Sequence, residues 1–168
     1  MLRSPGGDRR MRLEHHVAVS TVISAALFAV LKSWQVAVSS FLAGVFIDLD
    51  HFLDVFVEYK TGFTLREFFD ICHNGRLERL RLVLHSWELV PLLAAATLVS
   101  GSNPWVMGIA FGIAQHLVCD QFYNRPVPLA YFMIWRWRQG FLPDKMFNEF
   151  GKGAATVGQE STDVQGNN

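Results

Sequence analysis

The chain has 168 residues, enough for one domain around one core, with no reason to propose two. Hydrophobic residues make up 51% and charged residues 18%, below the roughly 25% usual in soluble domains, so the composition suits contact with membrane lipids. Fifteen Lys and Arg balance fifteen Asp and Glu, which argues against nucleic acid as a stable partner, and Cys72 and Cys119, outside any CxxC pattern, exclude a disulfide framework or a thiolate metal site.

Residues 1–14 are polar and carry Arg3, Arg9, Arg10 and Arg12, a basic flank read as a cytoplasmic N-terminus. The apolar stretch 17–31 predicts a first helix. A cleaved signal peptide shares this outline, but small residues scatter from 20 to 29 without a polar break before a cleavage site. A second stretch, 34–49, follows after only Lys32 and Ser33, as an antiparallel hairpin requires. Residues 51–84 interleave charges, including Lys60, Arg66, Arg76, Arg79 and Arg81, with Phe52, Phe56, Phe63, Phe68 and Phe69, and read as an amphipathic segment on a surface.

Stretches 87–100 and 105–119, joined by the turn signal Gly101-Ser102-Asn103-Pro104, predict a second hairpin. Beyond Asp120, Pro126 and Pro128 interrupt the pattern, and the run Tyr131-Phe132-Met133-Ile134-Trp135, ending among Arg136 and Arg138, reads as an interfacial helix. Residues 151–168 are rich in Gly, Ser, Gln and Asn with little apolar content and are expected to be a disordered tail. The expected fold is therefore all-α: a four-helix membrane bundle of two hairpins over residues 15–150.

Each stretch is shorter than the roughly 20 residues that cross a bilayer core, so hydropathy alone leaves a soluble bundle open. Charge placement separates the two. With four spans and a cytoplasmic N-terminus, 14 of 15 Lys and Arg lie inside and only Lys32 outside, the bias that sets orientation in a bacterial inner membrane; both termini are then cytoplasmic.

The same topology gathers chemistry at one end. His15 and His16 open the first helix, Asp48, Asp50 and His51 close the second, His85 opens the third, and His116 and Asp120 close the fourth. His116 and Asp120, four apart, stack an imidazole and a carboxylate on one helical face, and Asn124 continues the stripe. Asp48 and His51 share a face, whereas Asp50 points away unless the helix ends or tightens there, so one aspartate is a candidate for a supporting role. His15 and His16 are adjacent, so at most one of them faces the site. Salt bridges to nearby arginines are the plain alternative for the aspartates, and a capping or surface role for His73; in an apolar setting, buried carboxylates call for a cation. Imidazole with carboxylate and no thiolate suits zinc first, with Mn²⁺ and Fe²⁺ as alternatives.

Three segments carry a resemblance: Gly44-Val45-Phe46-Ile47-Asp48-Leu49-Asp50-His51, then His85-Ser86, then Gln115-His116-Leu117-Val118-Cys119-Asp120. From about residue 15 to 137 the chain resembles the membrane-bound metal-dependent hydrolases of the inner-membrane, YdjM-like type, which carry G-x-x-x-P-D-x-D-H, H-R-G-x-x-H-S and H-x-x-x-D segments among about four apolar helices. The resemblance implies a metal site of Asp48, Asp50, His51, His85, His116 and Asp120 with His15 or His16, and a distant likeness to zinc-dependent phospholipases C and P1-type nucleases. Ile47 stands in place of the family's proline and Leu80 in place of its first H-R-G-x-x-H-S histidine, while Arg81 matches the arginine.

On this reading the chain is a metal-dependent hydrolase acting on a phosphoester or lipid-like substrate, with Asp50 or Asp120 as proton acceptor and Arg81 as a bidentate phosphate ligand. Two non-enzymatic alternatives are a structural or sensory metal tying the helix ends together and a metal transporter, whose sites belong nearer mid-bilayer.

Overall fold

A computed structural model of the chain describes residues 13–60, 62–74 and 77–147, with backbone alone at 69, 70 and 72–74. The arginines of the N-terminal segment, Arg76, the 151–168 tail and the side chains of Cys72 and His73 lie outside the described residues. Within them the fold is all-helical, and no strand occurs.

Helix α1 (Leu13–Leu31) turns directly into α2 (Trp34–Phe46). Lys32 takes φ 52° at the turn, and the Ser33 side chain caps α2 by accepting from the Val36 amide. A single 3-10 turn, Ile47–Leu49, then leads without a break into α3 (Asp50–Tyr59). After α4 (Leu65–Asn74) an irregular segment carries His85 to α5 (Leu89–Val99). Asn103 caps α6 (Pro104–Tyr123), with Pro104 in its first turn where a missing amide proton costs nothing. Two short helices, α7 (Met133–Arg138) and α8 (Pro143–Met146), complete the described chain.

The principal pairing is α2 with α6, flanked by α1 on α2 and α5 on α6. Glycines set how near α2 and α6 come. A Cβ at Gly108 would strike Ser39 Oγ and the Val36 carbonyl, and one at Gly112 would strike the Ser40 carbonyl and the Ala43 methyl. Small residues that let backbones approach are the usual means of packing helices in lipid, where apolar association gains little.

The burial pattern of the helices is inverted relative to a soluble bundle. Helix α1 buries His16, Ser20 and Ser24 at four-residue spacing, while Val22 and Val30 are 68% and 77% exposed. Helix α5 buries no residue, and Val99 is 90% exposed. Two helical stretches, Leu13–Leu31 and Trp34–Tyr59, are long and apolar enough to cross a membrane; α5, at 11 residues, is shorter.

Residues 51–84 do more than lie on a surface. Val55 of α3, Ile71 of α4, and Leu77, Leu80 and Leu82 form an apolar cluster with Ala130 and Met146 from the C-terminal segment. A second cluster, Ile47, Ile113 and Leu117 with Trp87 and Leu93 packed on it, joins the end of α2 to α5 and α6. In the C-terminal piece α7 is 6 residues long, with Arg136 fully buried and Ile134 and Trp137 63% and 70% exposed.

Candidate metal centre

Six side chains from distant parts of the sequence meet at one end of the helices. The groupings are His16 with Asp48 and His116, Asp48 with His51 and His85, and His85 with His116 and Asp120; in each, one donor atom per residue lies within 4.8 Å of the others. Helix periodicity explains three of the arrivals: His116 and Asp120 are one turn apart on the buried stripe of α6, and His16 begins the buried stripe of α1. The 3-10 turn explains Asp48 and the position of Asp50 beside the six. Tightening the helix at Ile47–Leu49 brings both Asp48 and Asp50 to His85, where a regular helix would part them.

Each key ring is held from behind. His116 Nδ1 lies 2.8 Å from the Gly44 carbonyl oxygen, which only accepts, so that nitrogen carries a proton and Nε2 is the atom turned to the centre. His85 Nδ1 faces Asp50 Oδ2 at 3.4 Å and is oriented the same way. The two Nε2 atoms face carboxylates. His85 Nε2 is 3.3 Å from Asp48 Oδ1 and 3.8 Å from Asp120 Oδ2; His116 Nε2 is 3.4 and 3.6 Å from the same two atoms. His16 Nε2 approaches Asp120 Oδ1 at 3.3 Å, and its ring stacks on His116 with centroids 3.9 Å apart.

Metal-donor bonds of about 2.0–2.1 Å place tetrahedral neighbours about 3.3–3.4 Å apart, close to these separations. His85 Nε2, His116 Nε2 and Asp120 Oδ1 are buried without a hydrogen-bond partner, a cost that protein interiors rarely leave uncompensated. The donor set therefore fits a divalent cation, and its lack of thiolate favours Zn²⁺, Mn²⁺ or Fe²⁺.

Asp50 is 1% exposed, and its Oδ2 accepts the amides of Leu84 at 2.6 Å and His85 at 3.3 Å. With that oxygen also facing the His85 ring, Asp50 orients a ligand and is not placed as a proton acceptor. Asp54 continues the scheme one turn on, accepting the Arg81 and Leu82 amides at 2.7 and 3.0 Å. On the other side of the same segment the Arg136 guanidinium donates to the carbonyls of Arg81, Leu82 and His85 at 2.7–2.8 Å. Residues 81–85 are thus gripped by carboxylates at their amides and by a cation at their carbonyls. Glu88 locks the start of α7, accepting the Met133 and Ile134 amides at 3.0 and 3.1 Å.

Burial alone would lower the His85 ring, but the Asp48 and Asp50 carboxylates outweigh it and hold the ring above the ordinary histidine value. Tyr131 donates to Asp120 Oδ2 at 3.3 Å and accepts from Asn124 Nδ2 at 3.3 Å. Burial, reinforced by the Asp120 charge, raises the phenol well above its usual value and keeps it a donor.

Two expected ligands and one expected contact are placed differently. His15 is exposed and stacks near Tyr123, so His16 is the member of the pair that joins the centre. Asp50 supports His85 as described. Arg81, expected to bind substrate phosphate, has Nη1 of its guanidinium 3.6 Å from Asp54 Oδ1, an ion pair without a hydrogen bond. Leu80, in the position of the family histidine, packs in the apolar cluster, and the six donors assemble without it. The roles of Asp54, Tyr131, Glu88 and Arg136 were not expected from the sequence. Asp54 alone had a signal, lying one turn beyond Asp50 on the same helical face. The chain matches no protein family, no curated protein and no solved structure in comparisons with each.

Because the Asp50 carboxylate orients His85 without being a donor to the centre, Asp50→Asn is expected to weaken Zn²⁺ binding about 10- to 100-fold while His15→Ala leaves it unchanged. Calorimetric titration of metal-depleted protein in detergent reads both, and equal affinities for Asp50→Asn and wild type would refute the orienting role.

Proposed function

We propose that the chain is a membrane-embedded metal-dependent hydrolase acting on a phosphoester, with lipid head groups as the substrate class that a site at the membrane face suits best. The reading places four spans in a bacterial inner membrane, both termini on the cytoplasmic side, and the centre at the cytoplasmic ends of the helices. The observation that carries it is the pair of buried, unpartnered Nε2 atoms of His85 and His116 directed at the Asp48 and Asp120 carboxylates.

His16, Asp48, His51, His85, His116 and Asp120 would hold the cation, most suitably zinc. Bound there, it supplies a water of lowered pKa and polarisation of a phosphoryl oxygen. Asp120, a ligand through one oxygen only, is the proton acceptor in this scheme: Tyr131 engages Oδ2, while Oδ1 faces His16 Nε2 at 3.3 Å. Tyr131 holds that carboxylate in place, and Asp50 and Gly44 fix the tautomers of His85 and His116.

One observation favours a second reading. Both His85 Nε2 and His116 Nε2 lie 3.3–3.8 Å from Asp48 Oδ1 and Asp120 Oδ2, and two imidazoles with two carboxylates are the number and kind of donors that close a structural site. Turnover separates the readings. Full-length protein in detergent is expected to release phosphate or a head group from phosphodiester and phospholipid substrates, to lose that activity on chelation and to regain it with Zn²⁺ or Mn²⁺. Stoichiometric bound metal with no hydrolysis of either substrate class would establish the structural or sensory role instead.

A further inference from the structure

A closed tetrahedral cation uses four donors, yet six side chains converge among the described residues. The surplus is distributed in an ordered way. His16 and His116 share one grouping with Asp48, His51 and His85 share another with Asp48, and the third joins one histidine of each side, His85 and His116, to Asp120. Asp48 Oδ1 stands almost midway between the two sides, 3.3 Å from His85 Nε2 and 3.4 Å from His116 Nε2. Asp120 also faces both ways, with Oδ1 3.3 Å from His16 Nε2 and Oδ2 3.8 Å from His85 Nε2.

We infer that the centre holds two divalent cations sharing the Asp48 carboxylate, one on His16 and His116, the other on His51 and His85, with Asp120 reaching across both. The chemistry of the donors dictates this division. An imidazole whose Nδ1 is engaged offers a single lone pair and serves one ion, as at His85 and His116, where Asp50 and the Gly44 carbonyl occupy the other nitrogen. A carboxylate has two oxygens with about four lone-pair directions, and it alone among these groups can join two cations. Two histidines for each ion, with the Asp48 and Asp120 carboxylates between them, uses all six donors.

Charge points the same way. Against the Asp48, Asp120 and neighbouring Asp50 carboxylates, one dication leaves a net charge of about −1 and two leave about +1, which attracts an anionic oxygen such as that of a phosphoester. The two-cation centre rests on the metal site proposed above but not on its hydrolytic use, so the two can fail separately.

The test is metal stoichiometry of tag-free, full-length protein in detergent, depleted of metal and titrated with Zn²⁺ by calorimetry, with elemental analysis after desalting. Two equivalents per chain are expected. His16→Ala and His51→Ala are each expected to retain one, and the Mn²⁺-loaded wild type to give the resonance spectrum of an interacting pair, lost in both variants. Saturation of the wild type at one equivalent overturns the inference, as does loss of all metal from both variants or an isolated-ion Mn²⁺ spectrum at full loading. Two equivalents without phosphodiester hydrolysis would keep the two-cation centre and discard the enzyme.

Discussion

Asp120→Ala is expected to weaken metal binding roughly 100-fold or more, about 2.7 kcal/mol, and to abolish hydrolysis. Asp120 is 4% exposed and lies within 3.3–3.8 Å of donor nitrogens on His16, His85 and His116, so its loss removes the partner of three imidazoles at once. It also leaves the buried Tyr131 hydroxyl without its acceptor. Tyr131→Phe is the informative companion: the carboxylate stays but loses one donor, and a supporting contact of this kind is worth about 10-fold or somewhat more. Competition with a chromophoric chelator measures both constants. An Asp120→Ala protein that binds Zn²⁺ as tightly as wild type would remove this residue from the centre and with it the proton acceptor of the proposed reaction.

Arg136→Met is expected to destabilise the fold by about 3 kcal/mol or more, although Arg136 touches no donor side chain itself. Arg136 is fully buried and satisfies three carbonyl oxygens of the segment that carries His85. Methionine fills part of the volume but strands those carbonyls, and the Asp50 and Asp54 carboxylates on the opposite side lose a compensating charge. Burial pulls the guanidinium below its ordinary value, and Asp50 and Glu88 oppose that pull. At about 2–4 °C per kcal/mol for a chain of this size, the midpoint of thermal unfolding should fall by roughly 6–12 °C. Arg136→Lys restores the charge but not the planar fork, so it should recover only part of the loss. Zn²⁺ affinity should fall along the same series, because His85 is no longer held. An unfolding midpoint and a Zn²⁺ affinity both equal to wild type in Arg136→Met would show that the grip on residues 81–85 contributes nothing.

Much of the centre was legible because helices convert spacing into direction. His116 and Asp120 are four apart, and a regular helix from Pro104 to Tyr123 turns both inward with Gly108 and Gly112. The end-to-end sorting of histidines followed from two short hairpin turns, at Lys32-Ser33 and at residues 101–103, which return each helix to the same side. Asp50 was ambiguous for a definite reason: its direction depends on whether residues 47–49 wind as an α-helix or more tightly, and composition does not fix that.

The all-helical class, the hairpins and the placing of His116 and Asp120 on one helical face were thus set by periodicity and turn chemistry in the sequence itself. Tertiary structure decided the rest: that His16 and not His15 turns inward, that Asp50 supports a ring, that Arg81 pairs with Asp54, and that Arg136 is buried. The last three depend on contacts across 27 to 55 residues of sequence, made by an irregular segment with no period to read. A local pattern can say which way a helical side chain points, but only packing says what it meets.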